Sequence, residues 1–128
     1  MRKTFAVLFI SIIFLSCQKE KQATIEGSWR EISVYYKDNS GNYYWSGAPR
    51  FPYFLRLETD GTYSGFSCVP AGHGTYQYNY STRQLRFEDA SGIVNLDTVS
   101  VLDDDYLILD HSRGGVVEYR QKFLRYKN

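Results

Sequence analysis

The sequence predicts an all-β chain folded as an eight-stranded antiparallel up-and-down barrel. Three observations carry that expectation. From Ile25 onward apolar residues recur at every second position, the period of a strand rather than a helix. Aromatic residues reach 17%, with 12 Tyr and 8 Phe, and rings suit a pleated, half-buried surface. Turn residues interrupt this pattern at short intervals, as hairpins require. Eight strands in an open sheet would leave two unpaired edges, a template for aggregation, and closing the sheet removes both. A β-sandwich is the other architecture open to this pattern, although two cysteines, one of them near the N-terminus, cannot supply the brace of antibody-type sandwiches.

The strands follow in order. The first covers Gly27 to Lys37, with Ile32, Val34 and Tyr36 on one face, and ends in the loop Asp38-Asn39-Ser40-Gly41-Asn42. The second covers Phe51 to Thr59, where Phe51, Tyr53, Leu55 and Leu57 alternate with Arg56 and Glu58. Asp60-Gly61 is a hairpin turn, because glycine reaches positive φ freely. The third runs from Thr62 to Ser67, and Pro70-Ala71-Gly72-His73-Gly74 then reads as a break. The fourth, Thr75 to Tyr80, places Tyr76, Tyr78 and Tyr80 on one face. The remaining four are Gln84 to Glu88, Ile93 to Leu102, Tyr106 to Asp110 and Val116 to Tyr126. Ser81-Thr82, Ala90-Ser91-Gly92, Asp103-Asp104-Asp105 and Ser112-Arg113-Gly114-Gly115 supply the turns.

The N-terminus has a different chemistry. Arg2 and Lys3 precede an apolar run from Phe5 to Leu15, broken only by Ser11. A basic flank, about eleven apolar residues and a small residue form the layout of an export signal. That run is too short to span ~30 Å of hydrocarbon. Phe14-Leu15-Ser16-Cys17 resembles the lipobox of bacterial lipoprotein precursors, with Phe14 where an aliphatic residue is usual. The resemblance implies cleavage before Cys17 and acylation of that cysteine, palmitate among the chains. Multiple chains at ~0.8 kcal/mol per buried CH₂ anchor a protein firmly. The expected organisation is a signal peptide over 1–16, a lipidated Cys17 with a polar tether over 17–24, and a barrel over 25–128. Gln18 after the cysteine, rather than Asp, points to the outer membrane. Gln18-Lys19-Glu20 resembles the export signals of surface lipoproteins in Bacteroidota-type bacteria, so the periplasmic and cell-surface sides both stay open.

Removal of residues 1–16 leaves 112 of the 128 residues, with 13 basic against 14 acidic side chains. No basic face or tail survives, so nucleic acid is not an expected partner. With Cys17 lipidated, Cys68 stands alone between Phe66 and Val69 and reads as a buried thiol. The domain is expected to be a monomer whose membrane contact is the lipid anchor.

Gly27-Ser28-Trp29 opens the first strand. A Gly-x-Trp there, in an eight-stranded meander, resembles the lipocalin pattern. The resemblance implies that Trp29 closes one end of the barrel under a basic residue from the last strand, with Arg125 the first choice and Arg120 the second. A guanidinium over an indole is attracted by the ring quadrupole and also binds strand carbonyls. Asp60-Gly61-Thr62-Tyr63, Gly74-Thr75-Tyr76 and Lys122-Phe123-Leu124-Arg125 extend the likeness to the short lipocalin-like domain of Bacteroidota lipoproteins. The chain lacks the Thr-Asp-Tyr motif, the paired cysteines and the C-terminal helix of classical lipocalins.

Candidate ligand contacts are Tyr43, Tyr44, Trp45 and Tyr53 in the loop after the first strand, with Tyr76 and Tyr78 in the ladder. Loop rings would cover a mouth for an apolar ligand, stack on a glycan, or fold inward as a plug. The ladder would line a cavity or pack across strands. His73 and His111 fall near turns without the short-spaced partners of a zinc site, and Asp103-Asp104-Asp105 lacks the EF-hand pattern. No Gly-x-Ser-x-Gly is present, and Ser67 has no placeable His partner. The expected protein is therefore noncatalytic, without cofactor or metal, and binds or presents a small apolar or amphipathic ligand. An envelope module that contacts a glycan or partner protein through exposed aromatics is the alternative.

Overall fold

The computed structural model describes residues 21–67 and 70–127. Cys17 and Cys68, and with them the lipobox and the lone thiol, lie outside the described residues. Nine strands follow one another: β1 (Gly27–Lys37), β2 (Tyr43–Trp45), β3 (Phe54–Leu57), β4 (Thr62–Phe66), β5 (Pro70–Asn79), β6 (Gln84–Asp89), β7 (Val94–Leu102), β8 (Tyr106–Arg113) and β9 (Val116–Tyr126). From β3 to β9 each strand pairs antiparallel with the next, and β1 joins β3 to β9. Eight strands therefore close into an up-and-down antiparallel barrel of the lipocalin-like kind, as the alternation and turn spacing predict.

Four boundaries differ from the sequence reading. The strand expected over Phe51 to Thr59 keeps only Phe54–Leu57, and Phe51 is left exposed outside it. The ninth strand is β2, which pairs with Tyr35 to Lys37 of β1, beyond the stretch that β3 takes. A turn on Asp38 makes it: the Asp38 carboxylate accepts from Ser40 and Asn42 N–H, and Asp38 N–H donates to Asn42 O. The expected break at Pro70 to Gly74 is instead the first half of β5. Pro70 has no N–H to give the ladder, but it sits at the strand's first residue, next to a bulge in β5 where Ala71 is the extra residue between the Gly65–Gly72 and Phe66–Pro70 pairs. β8 runs three residues past Asp110, paired to β9 through Arg113.

β1 carries a further irregularity. Glu31 pairs with Phe123 but Ser33 with Lys122, so Ile32 is an extra residue in a bulge. The single face expected for β1 therefore does not run its whole length. Trp29 and Glu31 point inward before the bulge, and Val34 opposes Gln121 after it. The core is made by alternate residues of every barrel strand, among them Trp29, Leu55, Leu57, Leu85, Val99, Leu107 and Phe123. Each Leu or Val removed from water in this way contributes about 1.5–3 kcal/mol.

Candidate functional site

The barrel's two ends are built from the same strands with opposite chemistry. At one end Trp29 is wholly buried, and its Nε1–H donates to Ile25 O at 2.9 Å. The Arg125 guanidinium lies over the indole, Cζ 4.1 Å from the ring centroid. Its N–H groups also donate to the carbonyls of Glu26 and Thr24 at 2.6 Å and of Asp104 at 2.9 Å. One side chain thus ties the N-terminal segment, the β7–β8 turn and the indole together. Gly27 makes room for it: φ is +137°, and a Cβ there would come within 2.7 Å of Arg125 Nη1. Arg120, the second choice for this place, instead lies over Tyr35 and faces Asp110 Oδ1 at 3.0 Å, an ion pair rather than a directed hydrogen bond. Ser100 Oγ–H donates to the same carboxylate oxygen.

The tyrosine ladder belongs to the Trp29 end. Tyr76 is in the core and its hydroxyl donates to Glu58 O at 2.7 Å. Burial, and after it the charge of Glu26, pushes that hydroxyl up to about 12. Tyr78 is half-buried and meets Tyr80 edge-on at 4.5 Å. Tyr80 in turn accepts from Ile25 N–H. Tyr76 and Tyr78 are packing residues, and neither touches the opposite mouth.

That mouth holds a cavity of about 620 Å³. Tyr53, Tyr63, Tyr119, Phe87 and Phe123 give it aromatic walls, with Leu55 and Leu109 below. Of the loop aromatics only Tyr53 enters. Its ring meets Phe123 edge-on at 6.5 Å and its hydroxyl lies over Gly65, where any Cβ would collide with it. Tyr43, Tyr44 and Trp45 neither cover nor plug the mouth. They are 44%, 40% and 41% exposed on β2, against Tyr35 and Tyr36. Hydrogen bonds draw them there: Ser46 N–H donates to Val34 O, and Ser33 Oγ–H to Ser46 O.

A polar girdle crosses the cavity floor through four neighbouring strands. Asp97 of β7 lies 2.7 Å from His111 Nδ1 of β8. His111 Nε2 lies 2.7 Å from Gln121 Oε1 of β9, and Gln121 Nε2 donates to Glu31 Oε2 of β1. Glu31 is 7% exposed and Asp97 9%. The acceptors decide the protonation. A carboxylate has no proton to give, so Gln121 turns its NH₂ to Glu31 and its oxygen to His111. His111 then faces an acceptor at each nitrogen and satisfies both only as imidazolium. Burial pulls its pKa down, but the bonds to Asp97 and Gln121 and the charge of Asp110 outweigh it, and the net shift is upward. The Tyr119 ring stacks on the imidazole at 4.2 Å. Burial, then Asp97, Glu118 and Glu31, raises the Tyr119 hydroxyl. Burial, then Tyr63 and Glu31, does the same to Tyr53.

His111, which the sequence places near a turn, is instead a partly buried member of β8, because the strand continues beyond Asp110. His73 is exposed on β5. The sequence alone left Glu31 unplaced among possible paired carboxylates and gave no reason to single out Asp97 or Gln121, yet a signal was present. Each stands two residues from a core side chain, Trp29, Val99 and Phe123, in the inward phase of its strand. The site can hold an uncharged or cationic molecule by hydrogen bonds and ring contacts. Among the described residues, no three His, Cys, Asp or Glu converge to hold a metal ion. No protein-family model matches the chain, and no curated protein matches it.

Proposed function

We propose that this chain is a noncatalytic, membrane-anchored lipoprotein of the Bacteroidota type whose barrel binds a small amphipathic molecule in the mouth. The supporting observation is the cavity of about 620 Å³ at the mouth, with aromatic walls and a hydrogen-bonding floor. Its size lies within the ~300–1,000 Å³ common for small-molecule sites, and its aromatic and aliphatic walls are interleaved with polar and charged side chains, Asp97, His111, Glu118 and Gln121 among them, that can orient a ligand. Native mass spectrometry of the protein from its own envelope tests the reading. A bound mass of small-molecule size is expected, and an unliganded barrel would overturn it. The anchor has its own test. Cys17→Ala is expected to release the protein from the outer membrane without detergent, and continued detergent-only extraction would refute lipidation.

A second reading is favoured by a specific observation, the exposure of Tyr43, Tyr44 and Trp45. Here β2 offers rings to a glycan or an envelope partner, and the cavity is incidental. Loss of partner capture in Trp45→Ala with unchanged mouth occupancy would favour this reading over the first.

A further inference from the structure

We propose that the mouth takes a ligand with a cationic amino or ammonium head on a short apolar body, the head directed to the Glu31–Gln121 end of the girdle. The proposal rests on the ligand-binding reading and adds the sign of the ligand's charge.

The sign follows from pairing the charges around the cavity. Asp97 is matched by the His111 imidazolium. Glu118 is matched by Arg113 at the rim, 3.5 Å away. Asp110 is matched by Arg120. Asp89 accepts from Ser91 and Ile93 N–H in its own turn, with no cation beside it. Glu31 is as buried as Asp110 and receives one amide donor, and among the described residues no cationic side chain pairs with it. The cavity wall and the acid behind it are therefore net negative. A buried carboxylate with one neutral donor is costly, and a cation relieves that cost more than any neutral group.

The surroundings of Glu31 suit such a head. Its backbone N–H is held by Tyr53 O at 2.8 Å, and it pairs across the ladder with Phe123. Tyr53, Phe123 and Gln121 all line the cavity, so an occupant meets them in front of the carboxylate. Electron-rich ring faces attract a desolvated cation. Leu55, Leu109 and Phe87 offer the apolar body its contacts. A fatty carboxylate in the same cavity would set its charge against Glu31, Asp97 and Asp89.

The test uses three probes of equal chain length, hexylammonium, hexan-1-ol and hexanoate, titrated calorimetrically into the purified full-length protein. Hexylammonium is expected to bind about tenfold more tightly than hexan-1-ol, with hexanoate weakest, about 1.4 kcal/mol of charge attraction toward Glu31. Added salt should weaken hexylammonium alone. Glu31→Gln keeps the shape and removes the charge, and should abolish the preference. Should that variant not fold, the ranking of the three heads on the unaltered protein decides alone. Hexan-1-ol or hexanoate binding as tightly as hexylammonium would overturn the charge assignment and leave the ligand-binding reading standing. No binding by any probe would overturn both.

Discussion

The two ends of the barrel show how one repeating pattern is finished in two ways. At the Trp29 end every inward position is filled, and the polar groups left by the chain's entry are satisfied by Arg125. At the mouth the same alternation places Glu31, Asp97, His111 and Gln121 where Leu or Val would close the core. A buried polar network is more demanding than an apolar plug, since every member needs a partner. The difference teaches that the closed end is built for stability, while the proposed recognition falls to the girdle. Substitutions should therefore divide the same way.

The largest effect is expected at the closed end. Trp29→Ala removes a wholly buried indole and its bond to Ile25. A loss of about 3–5 kcal/mol is expected by denaturant unfolding, as for other large aromatic-to-Ala core changes. A loss under ~1 kcal/mol would break the comparison, because the Trp29 end would then not carry the fold. Arg125→Ala comes next. It leaves three carbonyls without their donor and uncovers the indole, for an expected loss of about 1–3 kcal/mol. Arg125→Lys should recover part of this, since an ammonium keeps the charge but not the planar fork.

The sequence carried the closed end more fully than the mouth. The bounds Gly27–Lys37 and Val116–Tyr126 follow from alternation and flanking turn residues alone. Gly27, Trp29 and Arg125 stand out together through the resemblance to the lipocalin pattern, which implies a basic residue of the last strand over the indole. The girdle needed more. Alternation says that Glu31, Asp97, His111 and Gln121 point inward, but not that they touch. That depends on the stagger between β7, β8, β9 and β1, and on the bulge at Ile32, which no local pattern marks. Pro70 to Gly74 misled for a related reason: Pro and Gly usually break strands, yet at a strand's first residues, around a bulge at Ala71, they pair. The run Tyr43-Tyr44-Trp45 was visible as aromatic, but its strand is three residues long and depends on the Asp38 turn.

A smaller effect, with a defined sign, is expected at the mouth. The His111 pKa is raised in the folded protein, so between about 6.5 and that raised value the folded state binds the extra proton. Stability from the girdle is then fully present below the unfolded pKa and is lost as pH rises through the folded one. Unfolding midpoints in urea should fall as pH rises above about 6.5 and through the raised His111 pKa. His111→Gln should flatten that fall. A midpoint that rises over the same window would mean that His111 is neutral in the fold, and the girdle would need another proton arrangement. Asp97→Asn should lower the His111 pKa, read from the imidazole proton shifts, because it removes the partner that favours the charged ring.

The smallest effect sharpens the comparison from outside the barrel. Trp45 sits on a three-residue strand, half exposed, with its ring 5.2 Å from Tyr35. Aromatic pairs of this kind contribute about 0.5–1.5 kcal/mol, and surface changes commonly stay within ±0.5. Trp45→Ala should therefore cost under about 1 kcal/mol and leave the mouth's occupancy unchanged, since Trp45 does not line the cavity. A cost near that of Trp29→Ala would show that β2 is part of the folding core. Loss of ligand at the mouth would show that β2 closes over it. Without either result, both tryptophans lie on aromatic-rich strands but serve different ends: Trp29 holds the barrel shut, and Trp45 remains free to meet something else.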